Sequence, residues 1–100
     1  GNGGAYQSNA LNITVSNPTA EQKKELELEN HGVIVQGVSA GPAQKAGIRI
    51  GDVLLLINNQ KVTDVAGFEK LVKDLPKNKS IPVLVQRQGG PIFLALKLTE

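Results

Sequence analysis

One hundred residues, 40% of them hydrophobic and 20% charged, suffice for one folded domain with a modest core and leave no room for a second. The formal charge of +2 comes from Lys and Arg interspersed with Asp and Glu, and the only aromatic residues are Tyr6, Phe68 and Phe93, so no basic stripe or stacking platform for nucleic acid is expected. No apolar run approaches the ~20 residues of a bilayer-spanning helix, no charged-then-apolar leader opens the sequence, and the lack of Cys excludes disulfide and thiol chemistry.

Residues 1–9, GNGGAYQSN, offer little to bury and read as a linker, which places the domain at 10–100. Leu11, Ile13 and Val15 alternate with Asn12 and Thr14, the period-2 pattern of a strand with one buried face, ended by Asn17-Pro18. Thr19 and Gln22 have the spacing of a capping box, so a short helix is predicted over 20–28, closed by the stretch Glu29 to Gly32. Val33 to Val38 is dense in β-branched residues and reads as a strand. Gly41-Pro42-Ala43 announces another helix, with Pro suited to its first turn and Gly47 to its left-handed C-terminal cap. After the Gly51-Asp52 turn, Val53 to Ile57 has strand length, and Asn58-Asn59 supplies a turn. A third helix, capped by Thr63 or Asp64, carries Val65, Phe68, Leu71, Val72 and Leu75 at helical spacing. The chain finishes as a hairpin of 81–87 and 92–98, whose last strand has one strongly apolar face built from Ile92, Leu94, Leu96 and Leu98.

The segment Gly41 to Asp52, GPAQKAGIRIGD, followed by VLLLINNQKV, closely resembles the hallmark of PDZ domains. Each part has a physical reason: Ala43 and Ala46 let the short helix lie close to the sheet, Gly47 supplies positive φ, Ile48 enters the core, and Gly51-Asp52 turns the chain. The stretches TAEQKKELEL and LPKNKSIPVLVQRQGG are similar to the second PDZ domain of the periplasmic Deg (high-temperature-requirement) serine proteases of Gram-negative bacteria. The resemblance implies an α+β fold: a PDZ-like, partly open β-barrel with two to three helices and the permuted strand order of bacterial protease PDZ domains. It also implies a periplasmic, non-catalytic module of a protease involved in protein quality control and stress response. The partners implied are C-terminal or extended peptides of unfolded proteins, the protease and first PDZ domains of the same chain, and neighbouring subunits. No cofactor, metal, nucleic acid or membrane span is expected.

PDZ domains add an extended peptide to a sheet edge beside a helix. Carried onto this sequence, the peptide site comprises the carboxylate loop Ala10, Leu11, Asn12 and Ile13, the strand edge Ile13, Thr14 and Val15, and the helix residues Val65, Phe68 and Val72. Phe68 is open to two roles, groove wall or core. Asn12 occupies a position at which the family usually has Gly; Asn enters the left-handed region more easily than other non-Gly residues, yet the departure also admits a vestigial site. An alternative use of the whole domain is as an assembly contact within a protease oligomer. His31 stands alone, and Ser8, Ser16, Ser39 and Ser80 lack a catalytic context, so no enzyme chemistry is expected of this chain; His31 is expected in a solvated turn.

Overall fold

The computed structural model describes residues 5–25, 31–87 and 89–98. In chain order its elements are β1 (Tyr6–Ser8), β2 (Ile13–Ser16), α1 (Ala20–Glu25), β3 (Val33–Val38), α2 (Pro42–Ala46), β4 (Val53–Ile57), β5 (Gln60–Lys61), α3 (Val65–Lys73), β6 (Ser80–Arg87) and β7 (Gly90–Lys97). All strand pairs are antiparallel, in the order β1-β2-β3-β4-β6-β7, with β5 folded back on β4. The sheet therefore has two ends, at β1 and β7, and does not close. Register shifts at Thr14/Val15 and between Leu54 and Leu56 bend the strands, as inserted residues do, and curl the sheet around its apolar face.

Alternation along the strands builds the core. Ile13 and Val15 from β2, Val33 and Val35 from β3, and Ile81, Val83 and Val85 from β6 are buried with Leu11, Leu54, Ile57, Val62 and Phe68. Aliphatic residues supply nearly all of it, as the scarcity of aromatics requires.

Local chemistry sets the element ends. The Thr19–Gln22 box is reciprocal: the Gln22 amide donates to Thr19 Oγ1 at 3.1 Å, and Gln22 Oε1 accepts from the Thr19 amide at 2.8 Å. The expected end of α1 falls on residues outside those described. Asp64, rather than Thr63, caps α3, accepting from the Gly67 amide at 2.8 Å. Asn58 and Asn59 both have positive φ, 54° and 65°, which suits the tight β4–β5 connection.

Two expectations are corrected. Tyr6 to Ser8, read as linker, form β1 and pair with β2, with Tyr6 half-buried, Gln7 exposed and Ser8 buried. A three-residue alternation with polar members is too short to show in a periodicity scan. In β7 the apolar face is only partly used: Leu96 and Leu98 are buried and Leu94 half-buried, but Ile92, nearer the hairpin turn, is exposed, as is Phe93 on the other face.

The hallmark segment is fastened from a distance. Asp52, 4% exposed, accepts two hydrogen bonds from Arg87, from Nε to Oδ1 and from Nη2 to Oδ2, both at 2.8 Å. Arg87 Nη2 also reaches the Gly47 carbonyl at 2.7 Å, and Asp52 Oδ2 accepts the Arg49 amide at 3.0 Å. The end of β6 thus holds both the α2 cap and the turn into β4. This bidentate fork is the geometry that Lys cannot reproduce.

Two outcomes follow for stability. Gly47 has φ 100°, and a Cβ there would meet only Leu94 Cδ2, at 3.7 Å. The cost of Gly47→Val is therefore conformational, about 2 kcal/mol, whereas Gly47→Asn recovers much of it; thermal melting of the two variants should differ by roughly 5–10 °C. Arg87→Ala leaves the buried Asp52 carboxylate without a counter-charge, held only by the Arg49 amide, and is expected to cost about 3 kcal/mol in urea unfolding, with Arg87→Lys only partly restoring stability.

Candidate functional site

Strand β2 has two edges. One pairs with β3, from Ile13 opposite Val38 to Ser16 opposite Ile34. The other, expected to stand open for a peptide, is covered by β1, with Tyr6 opposite Val15, Gln7 opposite Thr14 and Ser8 opposite Ile13. β1 thus lies along Ile13 to Val15, the edge to which a peptide is expected to add. Backbone N–H and C=O groups beside an apolar core need partners, and β1 supplies them.

The loop between these strands turns on Asn12. Its φ of 58° is the left-handed conformation expected of it. Its amide donates to the Ser8 carbonyl at 2.8 Å, and the Leu11 amide to Ser8 Oγ at 3.3 Å. Two N–H groups of the expected carboxylate loop thus already hold oxygens of Ser8. Leu11 and Ile13 drive their side chains into the core, Ala10 is exposed, and Thr14 is half-buried.

Asn12 also does something the sequence did not reveal. Its Nδ2 donates to the Ala40 carbonyl at 2.9 Å, and its own carbonyl accepts from the Ser39 amide at 2.9 Å, tying the loop to the segment that opens α2. A Gly at this position would relieve the left-handed strain but lose the Ala40 hydrogen bond, each worth about 1 kcal/mol, so the two effects offset.

Helix α3 completes the site. Its first amide, at Val65, donates to Asn17 Oδ1 at 2.9 Å, which sets the helix start against the end of β2. Phe68 is fully buried and Val72 nearly so, while Val65 is half-buried. Phe68 belongs to the core cluster and is covered with β1 in place. Its neighbour on the β1 side is Tyr6, whose ring meets it edge-on at 6.2 Å and 74°. Burial, and then the charge of Glu69 and a hydrogen bond to it, raise the Tyr6 phenol above its usual pKa. The nine expected site residues thus fall on one loop, one strand and one helix, and Tyr6, Gln7 and Ser8 lie on that strand's outer edge.

His31 is half-buried and lines a small cleft with Asn17, Pro18, Lys23, Gly32, Thr63 and Asp64, which contains no serine or cysteine nucleophile. Among the described residues no cluster of His, Cys, Asp or Glu could hold a metal ion, and no helix is long and apolar enough to cross a membrane.

Residues 10–98 match the family model described as PDZ domain. The chain is 47% identical over 98 residues to a protein named probable periplasmic serine endoprotease DegP-like from Ectopseudomonas mendocina, covering 98% of this chain and 20% of that protein. A protein of the same name from Hahella chejuensis is 48% identical over 96 residues, again 20% of its length. The chain thus spans about a fifth of the curated relatives it matches. Among solved structures, a variant of the HtrA-type protease AlgW with a decapeptide superposes with a TM-score of 0.80 at 27% identity, covering 95% of this chain and 28% of that one. The HtrA3 PDZ domain bound to a phage-derived ligand shares the fold, with a TM-score of 0.73 at 20% identity over 94% of this chain and 88% of that one. The chain belongs to the PDZ domain family, and its similarity to the DegP-like proteins falls on about a fifth of their length.

Proposed function

We propose that this domain captures extended peptides by strand addition to β2 beside α3, in a periplasmic protease concerned with protein quality control, where it stands as the second PDZ domain. The observation that carries the reading is the position of β1: an extended segment already lies antiparallel on β2 with its residue 6 ring against α3 and a carbonyl on the loop amide of Asn12. Main-chain pairing gives such a site affinity for many sequences, and a side-chain contact near Phe68 gives it selectivity. The ligands are the ends or extended stretches of unfolded proteins. The decapeptide with the AlgW variant and the ligand on the HtrA3 PDZ domain support peptide binding as the mode of use.

A second reading, a contact with the protease domain, the first PDZ domain or a neighbouring subunit, is favoured by exposed apolar side chains far from this site in sequence. Phe93 is 64% exposed and Ile50 67% exposed. These are the side chains an assembly contact would cover.

A titration of the labelled domain with peptides ending in an apolar residue separates the two. On the first reading the amides of Leu11 to Val15, together with those of Phe68 and Val72, shift with micromolar or weaker affinity, and amidating the peptide terminus weakens binding. Shifts confined to Ile50, Ile92 and Phe93, or none at millimolar peptide, would favour the assembly contact. Equal affinity of amidated and free peptides with shifts at Ile13 to Val15 would mean capture of internal segments through main-chain pairing alone.

A further inference from the structure

The segment Tyr6–Ser8 meets the requirements of a ligand one by one. It is extended and antiparallel to β2 in the register Tyr6–Val15, Gln7–Thr14, Ser8–Ile13. Its side chains alternate as those of an added strand do: Tyr6 against Phe68 and the Glu69 carboxylate, Gln7 exposed, Ser8 1% exposed. Its last residue places a carbonyl oxygen 2.8 Å from the Asn12 amide and a hydroxyl oxygen 3.3 Å from the Leu11 amide, on two N–H groups of the loop assigned to a peptide carboxylate. Ser8 thus stands where the terminal residue of an incoming peptide would lie, and Tyr6 two residues upstream of it.

We propose that Tyr6–Ser8 is an intramolecular ligand that occupies the β2–α3 groove and must leave before an external peptide can bind. The inference rests on the reading of that groove as the peptide site. A strand edge has one row of donors and acceptors, so β1 and a peptide cannot both pair with Ile13 to Val15. The occupant is held weakly enough to exchange: it is a three-residue strand with one aromatic anchor, and Phe68 is that anchor's ring partner. Its tether, the turn through Asn9 to Asn12, keeps it close, so it competes at high effective concentration despite its small contact. The apparent affinity for an external peptide is then the intrinsic affinity multiplied by the fraction of molecules with β1 displaced.

The sequence provides clean reporters. Tyr6 is the only tyrosine, and there is no Trp or Cys. A fluorescein-labelled decapeptide with a free C-terminal Val and no Tyr or Trp serves as the affinity probe by anisotropy, and the same peptide unlabelled is used to follow Tyr6 emission and amide shifts. Three results are expected. Tyr6→Ala binds the probe about tenfold more tightly than the parent chain, as a larger competent fraction requires. In a double variant with Gln7→Cys and Thr14→Cys, directly opposite positions whose spacing suits a disulfide, the oxidised protein binds at least about tenfold more weakly than the same protein reduced. Saturating peptide changes Tyr6 emission as the ring leaves Phe68 and Glu69.

If oxidised and reduced double variants bind equally while the amides of Leu11 to Val15 still shift, β1 is a fixed strand and the proposal is wrong, although the groove reading survives. If binding shifts other amides instead, the groove reading falls and the proposal with it. Absence of binding to Tyr6→Ala and to the reduced double variant alike rejects both. Should Tyr6→Ala fail to fold, the comparison of oxidised with reduced protein decides alone.

Discussion

The constraint on which this domain's architecture turns is that β2 is a core strand with an edge it cannot leave bare. Ile13 and Val15 are buried to within 1% of complete, so the backbone groups between them sit beside the apolar interior. Unpaired N–H and C=O groups there cost more than a hydrogen bond returns, and some extended segment has to cover them. In this chain β1 does so with three residues. The requirement that makes the edge costly to leave empty is the same one that makes it receptive to any other extended chain. Stability and the proposed ligand capture would then be two consequences of one row of main-chain groups.

Asn12 joins this edge to the rest of the fold. Its positive φ aims its amide at Ser8, while its side chain and carbonyl hold Ala40 and Ser39. Gly41 fits this junction because it lacks a side chain: a Cβ on it would lie 2.7 Å from Asn12 Nδ2. The glycine that opens the PDZ hallmark thus leaves room for the Asn12 side chain. At the other end of the same hallmark, Asp52 and Arg87 fix the exit from α2 to β6. Loop, helix and sheet are thus held in one frame from both sides.

What could be read from the sequence were features whose causes lie within a few residues. The Thr19–Gln22 box, the left-handed Gly47, a cap at Thr63 or Asp64 and the spacing of Phe68 and Val72 are all local chemistry; the structure has each of them, with Asp64 as the cap. The hidden features depend on partners far along the chain. Nothing near Arg87 announces an ion pair with a residue 35 positions away. Tyr6 to Ser8 look like linker because their pairing with β2 is invisible without the turn at Asn12. Phe68 could be given either of two roles from its spacing, since its complete burial involves Tyr6, far from it along the chain.

An occupied groove changes what selectivity means. A peptide entering an empty edge gains every main-chain hydrogen bond it forms; a peptide that replaces β1 exchanges those bonds for equivalent ones, and the net return from pairing is close to zero. Discrimination then falls on what the occupant lacks. Ser8 offers the Leu11 and Asn12 amides neutral oxygens, whereas a chain terminus offers a carboxylate, whose hydrogen bonds are about twice as strong. Ser8 buries only one side-chain carbon, and a terminal Val or Leu would bury more apolar surface. If β1 is exchanged for a peptide as proposed, internal polar stretches could only match its contacts, and apolar chain ends would exceed them.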